Sequence, residues 1–131
     1  MVRSYNWLLG QGIQPNHVAL IGDSAGGGLA ITTILRARER GLPLPAATMP
    51  LSPWLDMEAT GETFETNAAK DLLLDDSRKL ADLARRSGVD VTLEIVPEMQ
   101  HVFQALAGTA PEADAAICRL ADWVRPKLGL R

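Results

Sequence analysis

Apolar positions recur along this chain with two different periods, and the switches between them predict the order of its elements. Residues 3–11 carry the end of an amphipathic helix closed by Gly10 or Gly12. Pro15-Asn16 then turns the chain into an apolar strand, His17 to Ile21. From residue 26 to 40 the spacing becomes helical. Leu29, Ile31, Ile34 and Leu35 stand among Arg36, Arg38, Glu39 and Arg40, and Gly41, Pro43 and Pro45 stop the run. Ala46 to Leu51 reads as a second strand, weakened by Pro50, which has no N–H for a ladder. A loop rich in Thr, Glu, Gly and Asn follows from Ser52 to about Lys70. Residues 75–87 return to a helical period, with Leu80, Leu83 and Ala84 on one face and Gly88 at the end. Val89 to Val96 alternates apolar and polar residues, the mark of a half-buried strand, and a loop runs from Pro97 to His101. Pro111 opens a last helix with Ile117, Leu120, Ala121, Val124 and Leu128 at helical spacing. Strands alternating with helices predict an α/β fold: a partial parallel sheet of about three strands, flanked by helices.

Chemistry concentrates where the first strand meets the first long helix. Val18 to Ile21 breaks into Gly22-Asp23-Ser24-Ala25-Gly26, a Gly-x-Ser-x-Gly turn, and the helical pattern starts at once. A serine on a sharp strand-to-helix turn is lifted clear of the backbone above the sheet, and the flanking glycines leave room for so tight a turn. It also lies at a helix N-terminus, where N–H groups stabilise negative charge. The plain alternative is a strand-glycine-helix turn with a buried serine. A phosphate loop is excluded, because neither a Gly-x-x-x-x-Gly-Lys-[Ser/Thr] run nor a Gly-x-Gly-x-x-Gly run is present.

A serine nucleophile needs a base, and the chain has two histidines. His17 precedes its strand and falls at the opposite end of the sheet from Ser24. His101 follows a strand end, as Ser24 does, so the two emerge on one edge, where ligands of parallel sheets gather. The acid that orients such a base falls between serine and histidine in chain order. Asp56, Glu58, Glu62, Glu65, Asp71, Asp75, Asp76, Asp82, Asp90 and Glu94 all qualify by position. Asp75 and Asp76 begin a helix, where carboxylates are ordinary first-turn residues. Spacing alone does not single one out.

The bulk properties narrow the partners. At 131 residues the chain is read as a single domain, 1–131, large enough for a core. A net charge of −3 gives no electrostatic case for nucleic acid or an anionic membrane surface. No stretch is long and apolar enough to span a bilayer, and the first residues lack the build of a signal peptide, so the cytoplasm is the default location. The single cysteine, Cys118, is expected in a buried or half-buried apolar setting. Two histidines and one cysteine at unrelated spacings make no ligand set, so neither a metal nor a cofactor is expected.

Four motifs carry a resemblance: Gly22-Asp23-Ser24-Ala25-Gly26-Gly27, Leu51-Ser52-Pro53-Trp54, Leu73-Leu74-Asp75-Asp76-Ser77 and Met99-Gln100-His101-Val102-Phe103. In this order, over nearly the whole chain, they resemble the hormone-sensitive-lipase family of α/β-hydrolase esterases. The resemblance implies carboxylic ester hydrolysis through an acyl-enzyme, and because the motifs contribute no cationic anchor for a carboxylate, small uncharged acyl esters are the expected substrates. It makes Ser24 the nucleophile, His101 the base and Asp71 the acid, with the Ala25 N–H receiving the oxyanion. Against the family pattern this sequence begins just before the nucleophile strand and is shortened between Asn67 and Asp71. The family's upstream strands, His-Gly-Gly loop and substrate-covering cap do not appear in it. The alternative function is a non-catalytic, hydrolase-derived interaction or binding domain. Either way, strand edges left open are expected to favour a homo-oligomer.

Overall fold

The structure, a computed structural model, describes residues 1–55 and 73–131. Its elements in chain order are α1 (Val2–Gly10), β1 (Ala19–Asp23), α2 (Ala25–Glu39), β2 (Ala47–Leu51), α3 (Leu74–Arg86) and α4 (Pro111–Lys127). Short 3-10 turns occupy Pro15–His17 and Phe103–Leu106. The α/β layout expected from the alternating periods is present. Among the described residues the sheet has two strands, not about three.

β1 and β2 run parallel with Ala19 opposite Ala47, Ile21 opposite Met49 and Asp23 opposite Leu51. β1 starts later than expected because His17 belongs to the turn opened by Pro15, where the Val18 N–H bonds back to the Pro15 carbonyl at 3.1 Å. It ends later too, carrying Gly22 and Asp23 in the ladder. Pro50 sits inside β2 without penalty to this pairing. The Leu51 carbonyl faces β1, accepting the Ser24 N–H at 2.9 Å. Neighbouring residues of a strand direct their polar groups to opposite edges, so the missing donor of Pro50 falls on the far side of β2.

The expected third strand, 89–96, has no regular secondary structure and pairs with neither strand. Side chains hold it against α4 instead. Lys127 Nζ reaches Asp90 Oδ2 at 2.8 Å, and Arg119 pairs with Glu94. Alternation did not make a strand here, because ladder pairing depends on a neighbour that the period does not specify.

Small residues, not the large apolar ones, form the buried stripe of α2. Gly27, Ala30, Thr33 and Ala37 are buried, whereas Leu29 is 50% and Leu35 44% exposed. Stepping by three or four, these small side chains keep one helix face thin enough for close backbone approach to the sheet. Thr33 satisfies its hydroxyl on the Leu29 carbonyl at 2.7 Å. The same correction applies further on. Leu83 of α3 is 64% exposed while Ala81 is buried. Cys118 is exposed, because it sits two positions, about 200°, beyond the buried Ala116 of α4. A second cluster forms where Phe103, Ala113 and Ala116 pack with Val96, Met99 and Ala110. No described helix is long and apolar enough to cross a membrane.

Tyr5 ties α1 to the far end of α2. It is buried, and its hydroxyl donates to the Pro43 carbonyl at 2.8 Å. Burial raises its phenol above the usual 10.0, because the ionised form loses solvation. Folding therefore favours the protonated phenol. That stability is complete below pH 10 and is lost as pH rises through the folded value. Tyr5 is the only tyrosine, so tyrosinate absorbance reports it alone. Tyr5→Phe should cost about 0.5–1.5 kcal/mol at neutral pH. It should also remove this alkaline loss, measurable by chemical denaturation at pH 7 and pH 11.

Candidate active site

Ser24 is the junction between β1 and α2, and its backbone is unusual. Its φ of 48° and ψ of −116° lie outside the basins that side-chain-bearing residues populate. Such a conformation costs roughly 1–3 kcal/mol and persists only where surroundings enforce it. They do so through three hydrogen bonds. The Ser24 N–H donates to Leu51 O at 2.9 Å, while its carbonyl accepts the Gly28 N–H at 3.2 Å and the Trp54 N–H at 3.0 Å. Its side chain makes no capping bond to the helix it precedes. This is the geometry that turns a hydroxyl outward above a sheet.

Two glycines permit it. A Cβ on Gly22 would lie 2.3 Å from the Gly26 carbonyl oxygen, and one on Gly28 would lie 2.3 Å from the Trp54 carbonyl oxygen. Both obstacles are backbone and cannot swing away. Gly26 itself would meet nothing nearer than 3.8 Å, so its place in the motif is to offer backbone against Gly22. Gly28 lets the segment after β2 lie directly on the first turns of α2.

Between them, α2 and that segment enclose a cleft of about 350 Å³ lined by Ala25, Gly28, Leu29, Thr32, Trp54 and Leu55. Ala25 is the first residue of α2, so its N–H belongs to the turn that has no partner within the helix. The cleft lining thus includes Ala25, the residue that follows Ser24. Its lining is largely apolar.

His101 lies half-buried in a loop with two left-handed residues, Glu98 (φ 64°) and Val102 (φ 51°). The loop is fixed on both sides. Phe103 is buried in the α4 cluster, and the Val102 N–H donates to Ser52 Oγ at 3.2 Å. Ser52 directly follows Leu51, whose carbonyl holds Ser24, so the bonding brings the His101 loop to the strand end that carries the serine. His17 lies in the turn before β1, at the other end of that strand from Ser24. Five strand residues, roughly 16 Å, separate the two ends.

Asp71 lies outside the described residues, as do Asp56, Glu58, Glu62 and Glu65. Asp82, Asp90 and Glu94 are surface carboxylates paired with Arg86, Lys127 and Arg119. Asp76 differs from these. It is 4% exposed, and its Oδ2 accepts the Leu55 N–H at 2.7 Å. A first-turn carboxylate is ordinarily solvated, and no sequence signal separates Asp76 from its neighbour Asp75. Only the fold shows that it pins the cleft wall to α3.

With the site built, the chain's relatives are informative. An alpha/beta hydrolase fold family matches residues 1–70, and the chain belongs to that family. Its likeness within the family is to hormone-sensitive-lipase-type esterases. An acetyl-hydrolase of Streptomyces hygroscopicus is 31% identical over 163 residues, covering 88% of this chain and 54% of the relative. An esterase of Acinetobacter venetianus is 24% identical, covering 91% of this chain and 55% of its own length. The esterase EstE5, crystallised and soaked with p-nitrophenyl butyrate, superposes with a TM-score of 0.91 at 35% identity, over 98% of this chain and 59% of that one. An esterase from the bacterial hormone-sensitive lipase family gives 0.91 at 35% identity, over 97% and 59%. The chain spans about half the length of the curated relatives it matches. The 163 aligned residues exceed the 131 of the whole chain, so part of that relative has no counterpart within the match. That agrees with the internal shortening read from the motifs.

Removing the Asp76 carboxylate should loosen the cleft without touching Ser24. Asp76→Ala leaves a Leu55 N–H unpaired and should cost about 1.5–3 kcal/mol in urea denaturation. A change below 0.5 kcal/mol would show the bond to be dispensable.

Proposed function

We propose that this chain carries the nucleophile and base of a serine carboxylic-ester hydrolase. The observation that carries the reading is the enforced conformation of Ser24 at a helix N-terminus, directly before Ala25, which lines an apolar cleft. A fold maintains such strain where a side chain must be presented in one direction.

This reading implies an acyl-transfer mechanism. Ser24 Oγ attacks the ester carbonyl, and His101 accepts its proton. The carbonyl electron pair moves to oxygen, giving an anion that the Ala25 N–H stabilises from the first turn of α2. The intermediate collapses as His101 returns the proton to the departing alkoxide, leaving an acyl-serine. Water, deprotonated by His101, then releases the acid and restores the serine. Asp71 orients His101 and stabilises its protonated form. The cleft lined by Ala25 would take the acyl group. Among the described residues its lining carries no cation that would anchor a carboxylate, which favours small uncharged acyl esters. The resemblance to an acetyl-hydrolase and to esterases supports ester hydrolysis.

A fluorophosphonate probe tests this directly, since it phosphonylates only an activated serine. The chain should take label. Ser24→Ala should take none, and His101→Ala should react about 10²–10⁴ times more slowly, the usual worth of a positioned base. Folded protein that stays unlabelled would leave the non-catalytic, hydrolase-derived binding domain as the function.

A further inference from the structure

We infer that Ser52 is a positioning residue, whose hydroxyl holds the His101 loop to the strand end that fixes Ser24. This rests on the reading of Ser24 and His101 given above. Ser52 lies in the Leu51-Ser52-Pro53-Trp54 motif, to which the ester chemistry assigns no role.

Among the described residues, four that are not glycine have positive φ: Ser24 at 48°, Ser52 at 42°, Glu98 at 64° and Val102 at 51°. Val102 is the most unexpected, since a β-branched side chain is a genuine outlier there. Three of the four are joined in series. The Ser24 N–H donates to the carbonyl of Leu51, and Ser52 follows directly. Ser52 Oγ accepts the N–H of Val102 at 3.2 Å, bridging fifty positions of sequence, and His101 precedes Val102. One short path of two hydrogen bonds therefore runs from the nucleophile's backbone to that of the base.

The chemistry explains why a serine serves there. The bond needs an acceptor one carbon from the backbone. Alanine and glycine provide none, and threonine keeps the oxygen in place at the expense of a β-branched left-handed residue. Ser52 and Val102 thus hold each other in conformations that neither residue favours alone. If that mutual hold is lost, the imidazole is free to drift. Displacement of a reacting group by about 1 Å can cost up to 10²-fold in rate.

The test uses the full chain with Ser52→Ala, Ser52→Gly and Ser52→Thr. Fluorophosphonate labelling and p-nitrophenyl acetate hydrolysis are followed, with hydrogen exchange at the Val102 amide read by NMR. Ser52→Ala and Ser52→Gly should each slow labelling at least tenfold, lower kcat with KM within twofold, and speed Val102 exchange at least tenfold. Ser52→Thr should stay within about threefold of the parent in labelling. The glycine variant relaxes the left-handed turn yet lacks the hydroxyl, so it separates the two roles. If it matched the parent, Ser52 would merely form a turn and the inference would fall. Val102 exchange unchanged in the alanine variant would overturn it equally. A parent chain that takes no label would overturn both readings of catalysis. Exchange that still depended on Ser52 would then trace the failure to Ser24 and His101, not to the clamp. Where the alanine variant does not fold, the glycine and threonine pair decides the matter.

Discussion

The bond from the Ser24 N–H to the Leu51 carbonyl extends the parallel ladder one residue beyond β1, and the rest of the site is arranged around it. A strand that leaves its sheet freely turns with ordinary dihedrals. Here the chain stays bonded to β2 while already turning into α2, so residue 24 must absorb the change of direction in a single φ/ψ pair. The Gly22–Gly26 approach follows, because so tight a turn stacks the strand's last residues against the helix's first. α2 then starts close to the sheet, and its thin face of Gly27, Ala30, Thr33 and Ala37 lets it remain there. Trp54 closes the arrangement by donating back to the Ser24 carbonyl.

The second anchor is separate in origin and meets the first at Ser52. Phe103 roots the His101 loop in the α4 cluster. The 89–96 segment leading to that loop is held by Lys127 and Arg119 of α4, not by the sheet. His101 therefore belongs to the C-terminal helical layer and Ser24 to the sheet. Asp76 adds a third tie, from α3 to the wall of the cleft. Rigid elements supply the anchors, and the short connections between them present Ser24 and His101.

How much of this was legible in the sequence depended on whether the signal was local. The Gly-Asp-Ser-Ala-Gly turn announced itself because glycine, an apolar run and a helical period are all short-range features. His101 was reachable because it follows an alternating segment and His17 does not. The buried stripe of α2 was misread, since large apolar residues dominate a periodicity argument while Ala30 and Ala37 carry little weight in it. The third strand failed for a related reason: alternation specifies an extended chain, whereas pairing needs a partner. Asp76 and Ser52 were beyond reach. Each acts through one backbone N–H brought near from a distant part of the chain, Leu55 for one and Val102 for the other.

The central claim is that the turn makes Ser24 a nucleophile. Mass spectrometry of the chain, quenched shortly after mixing with p-nitrophenyl acetate and then mapped by peptide, tests it most directly. A single acetyl group on the peptide carrying Ser24, absent from the His101→Ala variant, is the expected result. An unmodified chain, or acetyl groups scattered over lysines with Ser24 untouched, would contradict it.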